Sequence, residues 1–85
     1  MPSTPKAIYN DFLNKEIDKH SAVEILVSLI DYVENINIRI ESIKIIERIG
    51  LKNEKLFTYL EDLFISDSYE KIRNAAAQTI RAQHF

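Results

Sequence analysis

Apolar residues along this chain recur at the three- and four-residue spacing that is typical of helices with one buried face. Five segments show this pattern, and short polar connections separate them. The chain has one glycine and two prolines, so few residues are available for tight turns, which favours helices over strand hairpins. The predicted helices cover residues 5–15, 19–34, 37–49, 53–65 and 68–82.

Polar residues at the segment boundaries predict where each helix begins. Thr4 followed by Pro5 is a cap followed by a first helical position. The second helix has two candidate starts: Ser21 with Glu24 forms a capping box, whereas Asp18 would place apolar residues at both staple positions. Both starts remain open at this point.

The later helices carry similar signals. Asn35 or Asn37 is expected to cap the third helix, and the single glycine, Gly50, is expected to end it in a left-handed conformation. Asn53 is the expected cap of the fourth helix. Asp67 with Glu70 forms a capping box for the fifth, which is expected to fray through residues 83–85.

A repeat with a period of 34 residues connects these segments. It carries Ile38-Arg39 onto Ile72-Arg73, Ser42 onto Ala76 and Ile46 onto Ile80. It also carries Ala22, Val23, Leu26, Leu29 and Ile30 onto Leu56, Phe57, Leu60, Leu63 and Phe64. Such a period indicates a stacked array of helical hairpins. The prediction is five antiparallel helices in two layers, with helices one, three and five in the first layer and helices two and four in the second.

The distribution of polar residues predicts how each helix is buried. Helix two has so few polar positions that it is expected to be central, and helix three has apolar residues on both sides of its polar stripe, so it is expected to have neighbours on both sides. The expected buried face of helix four comprises Leu56, Phe57, Tyr59, Leu60, Leu63 and Phe64.

Two motifs carry a family resemblance. These are Asn37-Ile38-Arg39-x-x-Ser42-x-x-x-Ile46-x-x-Ile49-Gly50 and Asp67-x-x-x-x-Ile72-Arg73-x-x-Ala76-x-x-x-Ile80. The chain resembles the HEAT-repeat and armadillo-like helical solenoids, especially short prokaryotic HEAT-like repeats, over residues 20–82. The resemblance implies a right-handed α-solenoid fragment of about two and a half hairpins, forming one domain over residues 1–85. The tetratricopeptide repeat has the same length, but its Trp-x-x-Leu-Gly-x-x-Tyr opening is absent.

The resemblance also implies roles for three residues. Arg39 and Arg73 stand at equivalent positions, where an arginine of this family hydrogen-bonds loop carbonyls or an aspartate between adjacent repeats. Asp67 is expected to be a structural residue between repeats together with them. The alternative is that both are ordinary surface arginines, and their recurrence at one phase of the repeat favours the structural role.

A candidate binding surface follows from the second layer, which lines the concave side in solenoids of this family. Its exposed stripe is expected to comprise Glu24, Ser28, Asp31, Thr58, Glu61 and Asp62. The stripe is acidic, so we expect a partner with a basic or polar segment, attracted by charge and weakened by salt. The alternative is an ordinary solvated helix face.

The composition argues against catalytic chemistry. There is no cysteine, the two histidines lie far apart, and one glycine is too few for a phosphate-binding loop. We therefore expect no enzyme activity, no metal and no cofactor. The missing cysteines fit a reducing compartment, and no stretch reaches the roughly 20 apolar residues of a membrane span, so a cytoplasmic protein is expected.

The predicted function is a non-catalytic protein–protein interaction or scaffolding module. The alternatives are a nucleic-acid-binding HEAT-like module, which a net charge of −2 does not favour, and an accessory repeat domain of a larger enzyme complex. Helix five has no second-layer partner in the pattern, which leaves Ile80 and Phe85 uncovered. A homodimer or a continuation of the repeat is therefore expected there.

Overall fold

A computed structural model describes residues 4–85, and its regular structure consists of helices. They are α1 (Pro5–Leu13), α2 (Lys19–Tyr32), α3 (Ile36–Ile49), α4 (Glu54–Ser66) and α5 (Glu70–Gln83). The predicted all-α fold with five helices is confirmed. Residues 1–3 of the predicted domain lie outside the described residues.

Side-chain caps set the starts of four helices. Thr4 Oγ1 accepts the Ala7 N–H at 3.1 Å, and Pro5 takes the first position of α1, as predicted. Asp18, rather than Ser21, begins α2: its carboxylate accepts the Ser21 N–H at 2.7 Å. Asn35, rather than Asn37, caps α3. Asn53 caps α4 through the N–H of Leu56 at 2.8 Å.

Backbone conformation sets the helix ends. Gly50 has φ of +75°, the left-handed terminator predicted for α3. The predictions for the first two helices were two residues too long. α1 ends at Leu13 because Asn14 leaves the helical conformation and Lys15 takes φ of +63°. α2 ends at Tyr32 because Val33 is extended, with φ of −92° and ψ of 130°.

The predicted capping box of α5 was wrong. α5 begins at Glu70, and its N-cap residue, Tyr69, makes no side-chain cap hydrogen bond. Asp67 accepts the Tyr69 N–H at 3.0 Å but uses its carboxylate mainly for Arg39. The Asp67 side chain, which the local pattern assigned to the cap of α5, therefore pairs with Arg39 from a distant segment instead.

The expected fraying at the end of α5 was wrong for Gln83, the last residue of the helix, whereas His84 and Phe85 lie beyond it. Gln83 is only 4% exposed, and its Nε2 donates to the carbonyl oxygen of Glu47 at 2.8 Å. One turn earlier, the buried Thr79 hydroxyl lies 3.0 Å from the Ala75 carbonyl oxygen and 3.3 Å from the Glu47 carboxylate. These polar contacts hold the last turns of α5 against α3.

The core contains aliphatic residues from all five helices, and α3 is the helix that contacts most of the others. Its backbone approaches those of α1, α2 and α5, whereas α2 approaches those of α1 and α3. The expectation that helix two is central was therefore wrong. α2 leaves Ile25 and Tyr32 exposed, while Ile43, Ile45, Ile46 and Ile49 of α3 are buried.

The buried face of α4 is narrower than predicted. Leu56, Leu60 and Leu63 are buried, Phe57 and Tyr59 are half-buried, and Phe64 is exposed. The apolar pattern correctly marks the side of the helix that faces the core. The pattern does not reveal that Phe64 is left uncovered by the described residues.

Two of the helices that α3 contacts, α1 and α5, are its predicted first-layer neighbours, and the two-layer arrangement itself stays a prediction. α3 packs beside both α1 and α5, and the Cα trace measures 33 × 27 × 16 Å. The shortest dimension is about the depth of two packed helices. The right-handed solenoid and its antiparallel order remain predictions.

The burial of α4 generates a test by substitution. Leu60 is fully buried and Asp62 is exposed. Leu60→Ala should lower the free energy of unfolding by about 2–5 kcal/mol, because it leaves a cavity, and Asp62→Ala should change it by less than about 0.5 kcal/mol. Urea denaturation followed by circular dichroism measures both. Equal effects would contradict the orientation of α4.

Candidate functional site

Arg39 joins three segments of the chain. Its Nε donates to the carbonyl oxygen of Ile30 at 2.7 Å, close to the end of α2. Its two terminal nitrogens face the two carboxylate oxygens of Asp67, at 2.6 and 3.4 Å. The side chains of Arg39 and Asp67 are 13% and 10% exposed. This fork geometry fixes the orientation of the pair as well as its distance.

Arg73 contacts the connection between α4 and α5, in which Asp67 lies. Its Nη1 donates to the backbone carbonyl oxygen of Asp67 at 2.7 Å. The structure thus brings Arg39, Arg73 and Asp67 together, and each makes the type of contact that the family resemblance implies. The two arginines differ in one respect, because Arg39 holds a carboxylate and Arg73 holds a carbonyl.

The charge of Asp67 responds to this environment. Burial alone would raise the pKa of its carboxyl group. The hydrogen bond from Arg39, the N–H of Tyr69 and the nearby positive charges outweigh burial and hold the pKa below its usual value. The Asp67 side chain therefore remains ionised, and its ion pair remains intact, throughout the neutral range.

A groove separates α2 from α4. In the part of the chain that the structure describes, no Cα atom of α2 lies within 8 Å of a Cα atom of α4. The space between them has a volume of about 360 Å³. Its apolar lining comes from Val23, Val27, Leu51 and Leu56. Its polar lining comes from His20, Glu24, Ser28, Asn53, Lys55 and Tyr59.

One hydrogen bond links the two helices across this groove. The Tyr59 hydroxyl donates to the Asp31 carboxylate at 2.7 Å. Burial of the phenol is the main reason that the pKa of Tyr59 is raised. The hydrogen bond to the negatively charged Asp31 raises this pKa further. The phenol thus stays protonated and keeps its donor role throughout the physiological range.

The predicted acidic stripe divides between this groove and open solvent. Glu24 and Ser28 line the groove, and Asp31 bonds to Tyr59 across it. Thr58, Glu61 and Asp62 are exposed on α4 but do not line the groove. The face of α4 that borders the groove carries Lys55, Leu56 and Tyr59 instead.

Sequence reasoning missed Lys55, Tyr59 and Leu51 as lining residues. The first two are four residues apart and therefore share one face of α4, which the sequence does show. The direction of that face depends on how α4 rotates onto the core, and the pattern of polar residues alone does not give that angle.

The described residues contain no group of three metal-ligand side chains close enough to hold an ion. Of the helices in residues 4–85, none combines the length and the apolar character that crossing a bilayer requires. No protein-family model matches the chain, and no curated protein or solved structure matches it either.

The ion pair makes a pH-dependent prediction. Because the pKa of Asp67 is lower in the folded state than the unfolded value of about 3.9, the pair contributes stability above about pH 4. That contribution is lost as the pH falls through the folded-state pKa. Asp67→Asn should lower the free energy of unfolding by about 2 kcal/mol at neutral pH, and the difference from the parent should shrink in acid.

Urea titrations between about pH 7 and pH 2 measure this difference. Asp62→Asn, which removes an exposed carboxylate, is the matched control and should have little effect. A double-mutant cycle with Arg39→Gln isolates the pair itself. A coupling energy near zero at neutral pH would contradict the role assigned to the Arg39–Asp67 pair.

Proposed function

We propose that this protein is a non-catalytic interaction module that binds a segment of another protein in the groove between α2 and α4. The observation that carries the proposal is the separation of these two helices over an apolar floor of Val23, Val27 and Leu56. The HEAT-like scaffold and the cytoplasmic location expected from the sequence belong to the same proposal.

The size and lining of the groove suit side chains from a partner. A volume of about 360 Å³ falls within the range of ligand-binding clefts, at its lower end. It holds a few aliphatic side chains rather than a whole folded domain. Valine and leucine side chains at the bottom gain from losing water, and the polar groups above them set the direction of the bound segment.

The charges beside the groove define the chemistry of the segment. α2 contributes Glu24 at the lining and Asp31 at the Tyr59 hydrogen bond, and α4 contributes Lys55. A lysine or arginine of the partner fits beside Glu24, next to an apolar residue that enters between Val23 and Leu56. Such a contact at the rim affects association rate and specificity more than total affinity.

The hydrogen bond between Tyr59 and Asp31 prepares the site. It fixes the phenol ring that forms part of the groove wall and joins α2 to α4 where their backbones are apart. The groove is thus largely formed before a partner arrives, which reduces the entropy lost on binding.

Selection from a displayed library of random peptides tests the proposal. Enriched peptides should combine an aliphatic residue with a nearby lysine or arginine. Glu24→Lys should weaken their binding by roughly fivefold at low salt, because it reverses a rim charge. Ser28→Arg should abolish binding, because it places a bulky cation inside the groove. Fluorescence anisotropy measures the dissociation constants.

Glu61→Lys is the matched control, because it reverses an exposed charge on α4 that does not line the groove. It should leave binding within about twofold of the parent value. If Glu61→Lys weakened binding and Glu24→Lys did not, the outer side of α4 would be the binding surface and the groove proposal would be wrong. Failure to enrich any peptide would also count against it.

A further inference from the structure

At two of the positions paired by the 34-residue repeat, the side chain on α4 is more exposed than its counterpart on α2. Ile30 is 0% exposed, whereas its counterpart Phe64 is 48% exposed. Val23 is buried, whereas its counterpart Phe57 is half-buried. Val23 and Ile30 belong to the core that also contains Leu56, Leu60 and Leu63 of α4. Among the described residues, no further helix packs beyond α4 to cover Phe57 and Phe64.

The same change occurs between α3 and α5. Ile46 is fully buried, whereas its counterpart Ile80 is half-buried. Phe85 packs on Phe57, with ring centroids 5.4 Å apart, and is itself 40% exposed. We group Phe57, Phe64, Ile80 and Phe85 under the name aromatic face: Phe57 and Phe64, seven residues apart, lie on one side of α4, and Ile80 and Phe85 come from the end of α5. The aromatic face shares no residue with the α2–α4 groove.

Arg73 occupies the position in the repeat that corresponds to Arg39, but it has no carboxylate partner among the described residues. Arg39 binds a carboxylate that lies four residues after Leu63, the last buried leucine of α4. Arg73 donates one N–H to the Asp67 carbonyl oxygen, and within residues 4–85 no carboxylate accepts its other N–H groups. Its side chain is half-buried, so a carboxylate that reached it would be partly shielded from water.

The outer side of α5 limits what the partner can be. On α3, Ile36, Ile40 and Ile43 share a stripe with Glu47, and Glu47 contacts α5. The corresponding residues on α5 are Glu70, Asn74, Ala77 and Arg81. This polar stripe does not suit a further helix packed as α5 packs on α3. The aromatic face thus requires cover from one helix and not from a complete hairpin.

We propose that the aromatic face binds a single amphipathic helix of a partner protein. The helix has leucines at positions i, i+4 and i+7 that contact Phe57, Phe64 and Ile80. An aspartate at i+11 forms a forked ion pair with Arg73. The template is the chain's own α4, in which Leu56, Leu60, Leu63 and Asp67 have this spacing: the three leucines belong to the common core, and Asp67 pairs with Arg39.

A second copy of this chain is not the occupant. The segment with the required spacing is α4, and its three leucines are already buried in its own core. Supplying them to a neighbour would expose that core and break the Arg39–Asp67 pair. We therefore assign the helix to a partner of different sequence, and self-association through the aromatic face is an outcome that the test distinguishes.

A synthetic peptide serves as the probe. It carries residues 52–69 of this chain, with Phe64→Lys and Ile65→Lys to keep its outer side soluble. Titration into the ¹⁵N-labelled protein should shift the amide signals of Phe57, Phe64, Arg73 and Ile80. Changing the peptide's aspartate to asparagine should weaken binding about tenfold, because a hydrogen-bonded ion pair is lost.

Variants of the protein locate the site. Arg73→Gln should weaken binding to the same extent as the change in the peptide, and the two changes together should cost no more than either alone. Phe64→Asp, at an exposed position that tolerates a charge, should remove binding. Arg81→Gln is the matched control on the outer stripe of α5 and should leave binding unchanged.

Several results would overturn the proposal. One is the absence of any shift at millimolar peptide. Another is a set of shifts centred on Val23, Ile30 and Arg39, which would mean that the peptide replaces the chain's own α4. Equal effects of Arg73→Gln and Arg81→Gln would also overturn it, as would sedimentation that shows self-association abolished by Phe64→Asp. Each of these results leaves the test of the α2–α4 groove unaffected.

Discussion

The packing of this protein depends on the need to bury α3 on more than one side. Its isoleucines surround most of the helix and leave a narrow polar stripe of Asn37, Lys44 and Arg48 in solvent. One neighbouring helix covers only part of such a circumference. α1, α2 and α5 therefore all pack against α3, and the order of the other helices follows from their positions around it.

Polar contacts then fix how far each neighbour can slide or rotate. Apolar packing is weakly directional, so isoleucine against isoleucine permits several registers. The forked contact between Arg39 and Asp67 permits only one register, because two carboxylate oxygens must face two guanidinium nitrogens. The same guanidinium also donates to the carbonyl oxygen of Ile30. At the other end of α5, Gln83 donates to the Glu47 carbonyl oxygen and closes the same seam.

The two proposed binding surfaces have different structural origins. The α2–α4 groove forms because the backbones of these helices stay apart while a hydrogen bond from Tyr59 to Asp31 joins them. The aromatic face forms because the positions of Val23 and Ile30, which are buried on α2, are occupied on α4 by the half-buried Phe57 and the exposed Phe64. A further regular repeat would bury the aromatic face, which is why we propose that face as a binding surface.

The sequence by itself determined the features that depend on neighbouring residues. The helical spacing, the caps at Thr4 and Asn53 and the left-handed turn at Gly50 each result from groups within a few positions of one another. The tertiary structure alone decided the role of Asp67, the burial of Gln83 and the exposure of Phe64. Each depends on which distant segment lies nearby: Arg39 takes the carboxylate from the cap of α5, Glu47 binds the end of that helix, and no described helix covers Phe64. The rotation of α4 about its axis was also decided by the tertiary structure. The direction of the Tyr59 side chain depends on how three leucines of α4 fit into the core and not on their spacing.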